Sequence, residues 1–317
     1  MQQLAANPDD VATYLVYADL LQTRGDPRGE LIALQHAGET AAADTLLRRH
    51  AKHFFGSLAA RPGVLSDVKW HLGFIRSCRF ASRSGDEAGL APLFEQFVDH
   101  ASTALIRRLT IGALSCEDYR KPLQLLTRRA WPTLHALELG ARRIKLGRVE
   151  PLVTLAANLT ELVIRLPDDQ RLELDAAWFP RLRALRIDTR FRRDSLATLF
   201  ARSWSLDTLH LAGVFPRFAD DWTPLLAGEP FPQLRHLTLH GCAPGFAATI
   251  ANAPLLGQLE TLDVDCNYSD AATRVLANRE RFAALSRLTL RGTRGLSASI
   301  QHDLRALCAN VELIGDR

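Results

Sequence analysis

Apolar positions recur along the chain in one short pattern, in which an apolar residue is followed three positions later by a leucine and two positions later by another apolar residue. The clearest copies are Leu234-Leu237-Leu239 and Leu259-Leu262-Val264. The central position of the pattern is occupied by Cys78, Leu109, Leu137, Leu162, Leu185, Leu209, Leu237, Leu262, Leu288 and Val311. Neighbouring central positions are 23 to 31 residues apart, a period that is typical of proteins built from structural repeats.

Each copy of the pattern predicts one short strand. Residues two apart on a strand point to the same face, so the apolar residues of a copy share one face and the others share the opposite face. A single strand cannot bury its apolar face alone, whereas stacked copies share a continuous core. The segments between strands are helical in pattern over 119–129, 195–202, 271–282 and 299–308, and are short or contain proline over 166–180 and 214–232.

An aromatic residue precedes many of the predicted strands. These residues are Trp131, Phe179, Trp204, Phe231 and Phe282. An aromatic stripe of this kind could form a binding surface, but we expect it to fill the space under each corner between helix and strand.

The first sixty residues follow a different, helical pattern. A helix is predicted after Asn7-Pro8-Asp9-Asp10, where proline and early acidic residues suit a helix start, and it ends at Gly25-Asp26-Pro27. A second helix is predicted from about Arg28 through Gln35, and a third from about Glu39 to Phe55. We interpret Asp19, Asp26, Arg28 and Glu30 as structural, with Asp26 stabilising the turn and Asp19 forming an ion pair with Arg28; a catalytic carboxylate pair is the alternative.

The repeated segment resembles the leucine-rich repeat family, whose pattern is Leu-x-x-Leu-x-Leu-x-x-Asn/Cys. The match is best over Leu234–Cys242 and Leu259–Asn267, and the resemblance extends over about residues 70–317. The period is similar to that of the ribonuclease-inhibitor type. The resemblance implies an α/β solenoid with a curved parallel sheet on its concave side and a mixed helical and irregular convex side.

The N-terminal segment resembles the repeat-companion domain found at the front of many bacterial leucine-rich repeat proteins. The residues that carry this resemblance are Tyr17-Ala18-Asp19-Leu20-Leu21 and Gly25-Asp26-Pro27-Arg28-Gly29-Glu30. It implies a bacterial protein and no activity for this domain. We therefore expect a helical domain over residues 1–62 that caps a solenoid over 63–317, with Trp70–Phe80 as the capping strand.

Composition limits the class of protein. Hydrophobic residues make up 47% of the chain and charged residues 23%, which fits a folded domain and excludes a disordered chain. The sequence has no long apolar run that predicts a membrane span, and its start does not resemble a secretory signal. The five cysteines are dispersed, so we expect reduced thiols in a cytoplasmic protein.

Charge is distributed unevenly along the chain. Residues 1–45 hold seven acidic and two basic side chains, a net charge of −5, whereas residues 46–139 hold fourteen basic and eight acidic side chains, a net charge of +6. Residues 140–193 have a further net charge of +5 and residues 194–317 a net charge of −2. A basic middle segment between acidic ends can steer an acidic partner.

The polar face of the predicted sheet is the candidate binding surface. We expect the protein to bind another protein, as yet unidentified, through Glu138, Glu161, Arg165, Arg186, Asp188, His210, His236, His240, Asp263 and Asp265. Neighbouring strands lie about 4.8 Å apart, so the three histidines and the last two aspartates should form one patch.

Two alternatives remain open from the sequence. Imidazoles and carboxylates in the patch of His210, His236, His240, Asp263 and Asp265 could bind a metal or support hydrolysis. An arginine-rich edge could bind nucleic acid through Arg142, Arg143, Lys145, Arg148, Arg190, Arg192 and Arg193. The chain has no phosphate-binding glycine loop, His-Glu-x-x-His or Gly-x-Ser-x-Gly motif, so we expect no catalytic residues, no resident metal and no cofactor.

Overall fold

The computed structural model describes residues 1–61, 63–81, 90–112, 120–140, 151–165, 174–189, 193–213, 222–241, 249–265 and 275–315. The chain is divided into two compact units, Met1–Leu159 and Thr160–Arg317. Within each unit, strands that follow one another in the chain lie side by side in the sheet, and we number the strands β1 to β11 in chain order. Every described strand pair except β1–β2 is parallel.

The first unit combines helices with the first four strands. Its strands are β1 Leu65–His71, β2 Phe74–Phe80, β3 Arg108–Ile111 and β4 Ala136–Gly140. Its helices are α1 Gln2–Ala6, α2 Val11–Thr23, α3 Pro27–His36, α4 Thr40–Arg49, α5 Ala51–Phe55, α6 Leu90–Asp99, α7 Arg120–Leu126 and α8 Pro151–Ala156.

The second unit repeats a short strand followed by a helix or turn. Its strands are β5 Glu161–Arg165, β6 Ala184–Asp188, β7 Thr208–Ala212, β8 His236–His240, β9 Thr261–Asp265, β10 Arg287–Arg291 and β11 Val311–Ile314. Its helices are α9 Arg193–Phe200, α10 Thr223–Ala227, α11 Arg279–Phe282 and α12 Ala298–Arg305. In the described part of the chain, no helix is long and apolar enough to span a membrane.

The central position of every predicted repeat lies on a strand, which confirms the repeat. In the second unit Leu162 pairs with Leu185, and the same register continues through Leu209, Leu237 and Leu262 to the end of the sheet. These five leucines are at most 1% exposed. The repeated leucines therefore stack from strand to strand as one apolar row.

The segments between strands match the predicted pattern where they are described. The predicted helices over 119–129, 195–202 and 299–308 correspond to α7, α9 and α12, and α11 forms the end of the segment 271–282. The described part of 166–180 contains a short 3₁₀ turn at Ala176–Trp178, and that of 214–232 contains the five-residue helix α10.

The aromatic residues before the strands fill the corners, as expected. Trp131, Phe179, Trp204, Phe231 and Phe282 are all at most 5% exposed. The two tryptophans also donate their Nε1–H groups to the preceding helix, Trp131 to Leu126 O at 2.6 Å and Trp204 to Leu199 O at 2.8 Å. Each tryptophan thus satisfies a carbonyl group that the end of its helix leaves without an intrahelical partner.

The N-terminal helices differ from the prediction in two ways. The short helix α1 precedes the predicted first helix, and its Leu4 is 1% exposed. The predicted third helix is broken at His50, whose φ of −109° and ψ of 32° are not helical, so that it becomes α4 and α5. The break allows Phe54 to pack with Leu31 and Leu46 in one buried cluster.

The predicted strand Trp70–Phe80 is correct from Phe74, where β2 begins, and wrong before it, because the segment turns back on itself at Leu72 and Gly73. His71 pairs with Phe74 in an antiparallel hairpin of β1 and β2. The turn residues Leu72 and Gly73 both have positive φ, 43° and 82°, which fits the two-residue turns that match strand twist. Leu72 is 5% exposed and packs with Tyr14 and Ile32, which offsets the strain of its backbone.

The predicted ion pair between Asp19 and Arg28 is also wrong. Arg28 is 4% exposed, and its guanidinium donates hydrogen bonds to Gly73 O and, at 3.1 Å, to Ser102 Oγ. Burial lowers the pKa of Arg28. Asp26 does stabilise the turn as predicted, because its carboxylate accepts a hydrogen bond from Arg28 N at 2.8 Å and caps α3.

Candidate functional site

One face of the sheet in the second unit carries polar side chains, and we call it the open face. It is the face opposite the row of leucines on β5 to β10, and the alternating burial of β6, β7, β8 and β9 shows the two-residue period directly. Its polar residues are Glu161, Arg165, Arg186, Asp188, Thr208, His210, His236, Thr238, His240, Thr261, Asp263, Asp265, Arg287, Thr289 and Arg291.

Asp263 is the centre of the most closely packed contacts on the open face. Arg291 Nε and Nη2 donate to the two oxygens of Asp263, each at 2.8 Å, in a bidentate pair. His240 Nε2 lies 3.0 Å from Asp263 Oδ1 and 2.8 Å from Arg291 Nε.

Asp188 forms a second centre three strands away. Arg186 Nε donates to its two oxygens at 3.1 and 3.0 Å, and Arg165 Nε lies 3.3 Å from Oδ2. His210 Nε2 lies 3.4 Å from Asp188 Oδ1, in a geometry that leaves this buried nitrogen without a well-formed hydrogen bond.

The two histidines join these centres. The rings of His210 and His240 pack edge to face, with centroids 5.2 Å apart and an angle of 80° between their planes. The contacts therefore run across β5 to β10 through Arg165, Asp188, His210, His240, Asp263 and Arg291. We call this row of six side chains, one from each strand, the charge ladder.

Both aspartates of the charge ladder remain ionised well into acid. Burial raises the pKa of the Asp263 carboxyl, but the hydrogen bonds and charges of His240 and Arg291 outweigh it and bring the pKa to about 2. Burial also raises the pKa of Asp188, and the contacts from His210 and Arg186 again lower it below its ordinary value. Each carboxylate is therefore a fixed negative charge between positive or hydrogen-bonding neighbours.

The other predicted binding residues lie outside the charge ladder. His236 Nδ1 is 3.0 Å from Thr261 Oγ1, and Asp265 accepts a hydrogen bond from the backbone N–H of Gly241. Glu161 is half-buried at the start of β5. Glu138 belongs to the first unit, where Thr110 Oγ1 donates to it at 3.4 Å. Of the predicted patch of five residues, His210, His240 and Asp263 are thus brought together by these contacts.

Arg291 was missing from the predicted binding set, although it holds Asp263 in place. The repeat pattern alone places Arg291 on the open face, because it occupies the same position in its repeat as His240 and Asp265 occupy in theirs. Asp265 and Arg291 are register partners on β9 and β10.

Two glycines end the strands beside the histidines. Gly213, with φ of 142°, follows β7, and Gly241, with φ of 79°, follows β8. A Cβ atom on Gly213 would lie 1.6 Å from Thr189 O, and one on Gly241 would lie 1.6 Å from Gly213 O. Only glycine fits at these two positions, because the neighbouring backbone occupies the space of any side chain.

The sequence left two alternative sites open, a metal or hydrolytic site in the histidine and aspartate patch and an arginine-rich edge for nucleic acid. Among the described residues, no group of three or more His, Cys, Asp or Glu side chains is arranged to hold a metal ion. Asp263 is instead occupied by a guanidinium and an imidazole. Of the arginine-rich edge, Arg142, Arg143, Lys145, Arg148, Arg190 and Arg192 lie outside the described residues, and only the backbone of Arg193 is described.

Fold and site together define an α/β repeat protein in which, within each unit, the described strand pairs after the first hairpin are parallel. A solved structure that it resembles is a structural genomics protein from Bacteroides fragilis, with a TM-score of 0.58 and 17% sequence identity. The similarity covers 74% of this chain and 72% of that one, and at this identity it concerns the fold alone. No protein family profile matches the sequence. No curated protein matches it either.

Proposed function

We propose that this chain is a leucine-rich repeat protein that binds another protein through its open face and catalyses no reaction. The charge ladder is the observation that carries this proposal, because it holds six polar side chains on six strands in fixed mutual contact. Side chains that are ordered before binding lose less conformational entropy when a partner arrives. Positive and negative charges at fixed positions also fix the orientation of a partner with the complementary pattern.

The proposal extends to the N-terminal segment. Residues 1–62 would form a repeat-companion domain that caps the repeats of residues 63–317, at the sheet end that β1 occupies. Helix α2 supports this, since its Tyr14 packs edge to face on His71 and Phe74 of the hairpin, at 5.8 and 6.2 Å between centroids. The free thiols of Cys78 and Cys308 are compatible with a cytoplasmic protein.

Arg186 is the best residue for testing the open face. Its side chain is 43% exposed, so its loss should remove a contact group with little effect on the melting temperature. Asp263 is a poorer choice, because its removal leaves Arg291 and His240 without their common acceptor.

The experiment is affinity capture from native cell lysate, followed by measurement of the Kd for each captured protein. We expect Arg186→Ala to weaken binding of a true partner about tenfold. Arg202→Ala, which removes an exposed arginine outside the strands, is the matched control and should leave the Kd unchanged. Equal Kd values for wild type, variant and control would contradict binding through this face.

A further inference from the structure

Exposed apolar side chains concentrate at the start of the chain. Among the described residues, the large apolar side chains that stand out as exposed are Val16 at 72%, Met1 at 48%, Leu20 at 45%, Val153 at 43% and Val11 at 37%. Four of these five belong to the first twenty residues. Scattered exposed apolar residues need no explanation, whereas neighbouring ones that share a face of one element can form an interaction surface.

Helix α2 arranges the most exposed of them on one side. Val16 and Leu20 are four residues apart and therefore share a face of the helix, on which Ala12, Asp19 and Thr23 are also exposed. The inner face of the same helix buries Tyr14, Ala18 and Leu21 against the rest of the unit. An amphipathic helix packed on a core would have a polar outer face, whereas α2 also carries Val16 and Leu20 on its outer face.

The N-terminal segment that contains this outer face is acidic in sequence. Residues 1–45 contain seven acidic and two basic side chains, and one of the two bases, Arg28, is 4% exposed. Arg24 is the base that remains at the surface. Asp19 is exposed between Val16 and Leu20, so a negative charge lies within the apolar stripe itself.

We propose that the outer face of α2 is a docking surface for a basic amphipathic helix of another protein. The stripe from Ala12 to Thr23 is about 16 Å long, which is the length of three helical turns. A second helix packs on such a stripe with its own apolar seam, and a lysine or arginine beside that seam would lie against Asp19. This surface is separate from the open face and does not depend on the function proposed for it.

Charge also argues against two other occupants. In a twofold dimer of this chain the acidic stripe would meet itself, and like charges would oppose the contact. Anionic lipid headgroups attract basic segments and would be repelled by this one. A basic partner helix is the occupant that satisfies both the apolar and the acidic character of the stripe.

The test uses the full chain and a fluorescent peptide of about 18 residues, composed of leucine and lysine in amphipathic order. We expect the peptide to bind, and the double substitution Val16→Gln with Leu20→Gln to weaken binding at least about tenfold. Glutamine keeps a high helix propensity, so α2 and the melting temperature should be preserved. Asp19→Asn should weaken binding to a smaller extent and reduce its dependence on salt.

Two controls make the result specific. Val153→Gln changes a valine on α8 that is 43% exposed, close to the 45% of Leu20, and should leave the affinity unchanged. A leucine–glutamate peptide of the same length should not bind. The proposal is overturned if the lysine peptide fails to bind, if the glutamate peptide binds equally well, or if the double variant retains full affinity. It is also overturned if the double substitution abolishes a dimer in sedimentation or the binding of phosphatidylcholine vesicles.

Discussion

At the scale of single residues, Asp263 stays ionised because its neighbours compensate for its burial. A carboxylate that loses water is driven toward its neutral form, whereas each hydrogen bond from Arg291 and His240 favours the charged form. The second effect is larger, and the pKa falls from the ordinary 3.8 to about 2. The charge ladder therefore contributes to stability as well as to the chemistry of the open face.

This balance predicts a dependence of stability on pH. A carboxyl whose pKa is lower in the folded state stabilises the fold above the pKa of the unfolded chain, and the contribution disappears as pH falls through the folded value. Asp263 should therefore contribute about 2 kcal/mol above pH 4 and lose this between about pH 4 and 2. Urea unfolding at several pH values measures the effect.

The control for this prediction is Asp263→Asn, which keeps the shape of the side chain but cannot ionise. We expect it to unfold about 2 kcal/mol more easily than wild type at pH 7, with a difference that shrinks toward pH 2. A constant difference over this pH range would show that the ionised carboxylate is not the source of the stability.

At the scale of secondary structure elements, the contact between α2 and α3 depends on Gly29. A Cβ atom at this position would lie 2.6 Å from Ala18 O and 2.8 Å from Gln22 N, both on the backbone of α2. This close approach accounts for Gly29. Gly25 has a positive φ of 69°, Asp26 caps α3 and Arg28 is buried, so the residues of this motif each have a structural role.

We predict that Gly29→Ala destabilises the protein by about 1 to 3 kcal/mol, because α2 and α3 must move apart to make room for the added methyl group. Gly257→Ala is the matched control, since a Cβ atom there meets no other atom within 4 Å. Thermal unfolding of both variants measures the difference. Similar melting temperatures for the two would contradict the close packing of α2 on α3.

The strands could be predicted from the sequence, but the hairpin could not. An apolar central residue, in most copies a leucine, recurs every 23 to 31 residues and identifies each strand, because only one face of each strand can join the core. The segment 70–80 contains apolar residues on both sides of Leu72-Gly73 and therefore resembles one continuous strand. Its turn requires positive φ at a leucine, and that conformation depends on tertiary packing against Tyr14 and Ile32.

The same distinction applies to the charge ladder. Alternation along each strand predicts which residues lie on the open face, and all six members of the ladder belong there. The pairing among them is diagonal, since His240 on β8 contacts Asp263 while its neighbour Asp265 accepts from Gly241 N. Which aspartate His240 contacts depends on the rotamers and lengths of the side chains, and the sequence pattern does not predict these.

At the scale of the whole molecule, most stabilising contacts are between neighbours in sequence order. Each inner strand of the second unit pairs with the strand before it and the strand after it. Stability in such a chain is a sum of local terms and nearest-neighbour interfaces, so damage to one repeat should remain close to it.

Leu209→Ala tests this locality. The leucine is fully buried on β7, and its truncation should cost about 2 to 5 kcal/mol. Hydrogen–deuterium exchange should then show faster exchange in β6, β7 and β8, with unchanged protection in α2 and α3. Val153→Ala, at an exposed position, should leave every segment unchanged. Uniformly faster exchange along the whole chain in Leu209→Ala would refute local unfolding.

Gly213 and Gly241 have a consequence for redesign. The strand residues of the open face point away from the core, so their chemistry can be exchanged while the leucine row keeps the strands in place. The two glycines allow no such freedom, because any side chain there would collide with the backbone of the adjacent repeat. A library intended to retarget this protein should therefore randomise the strand positions and keep both glycines invariant.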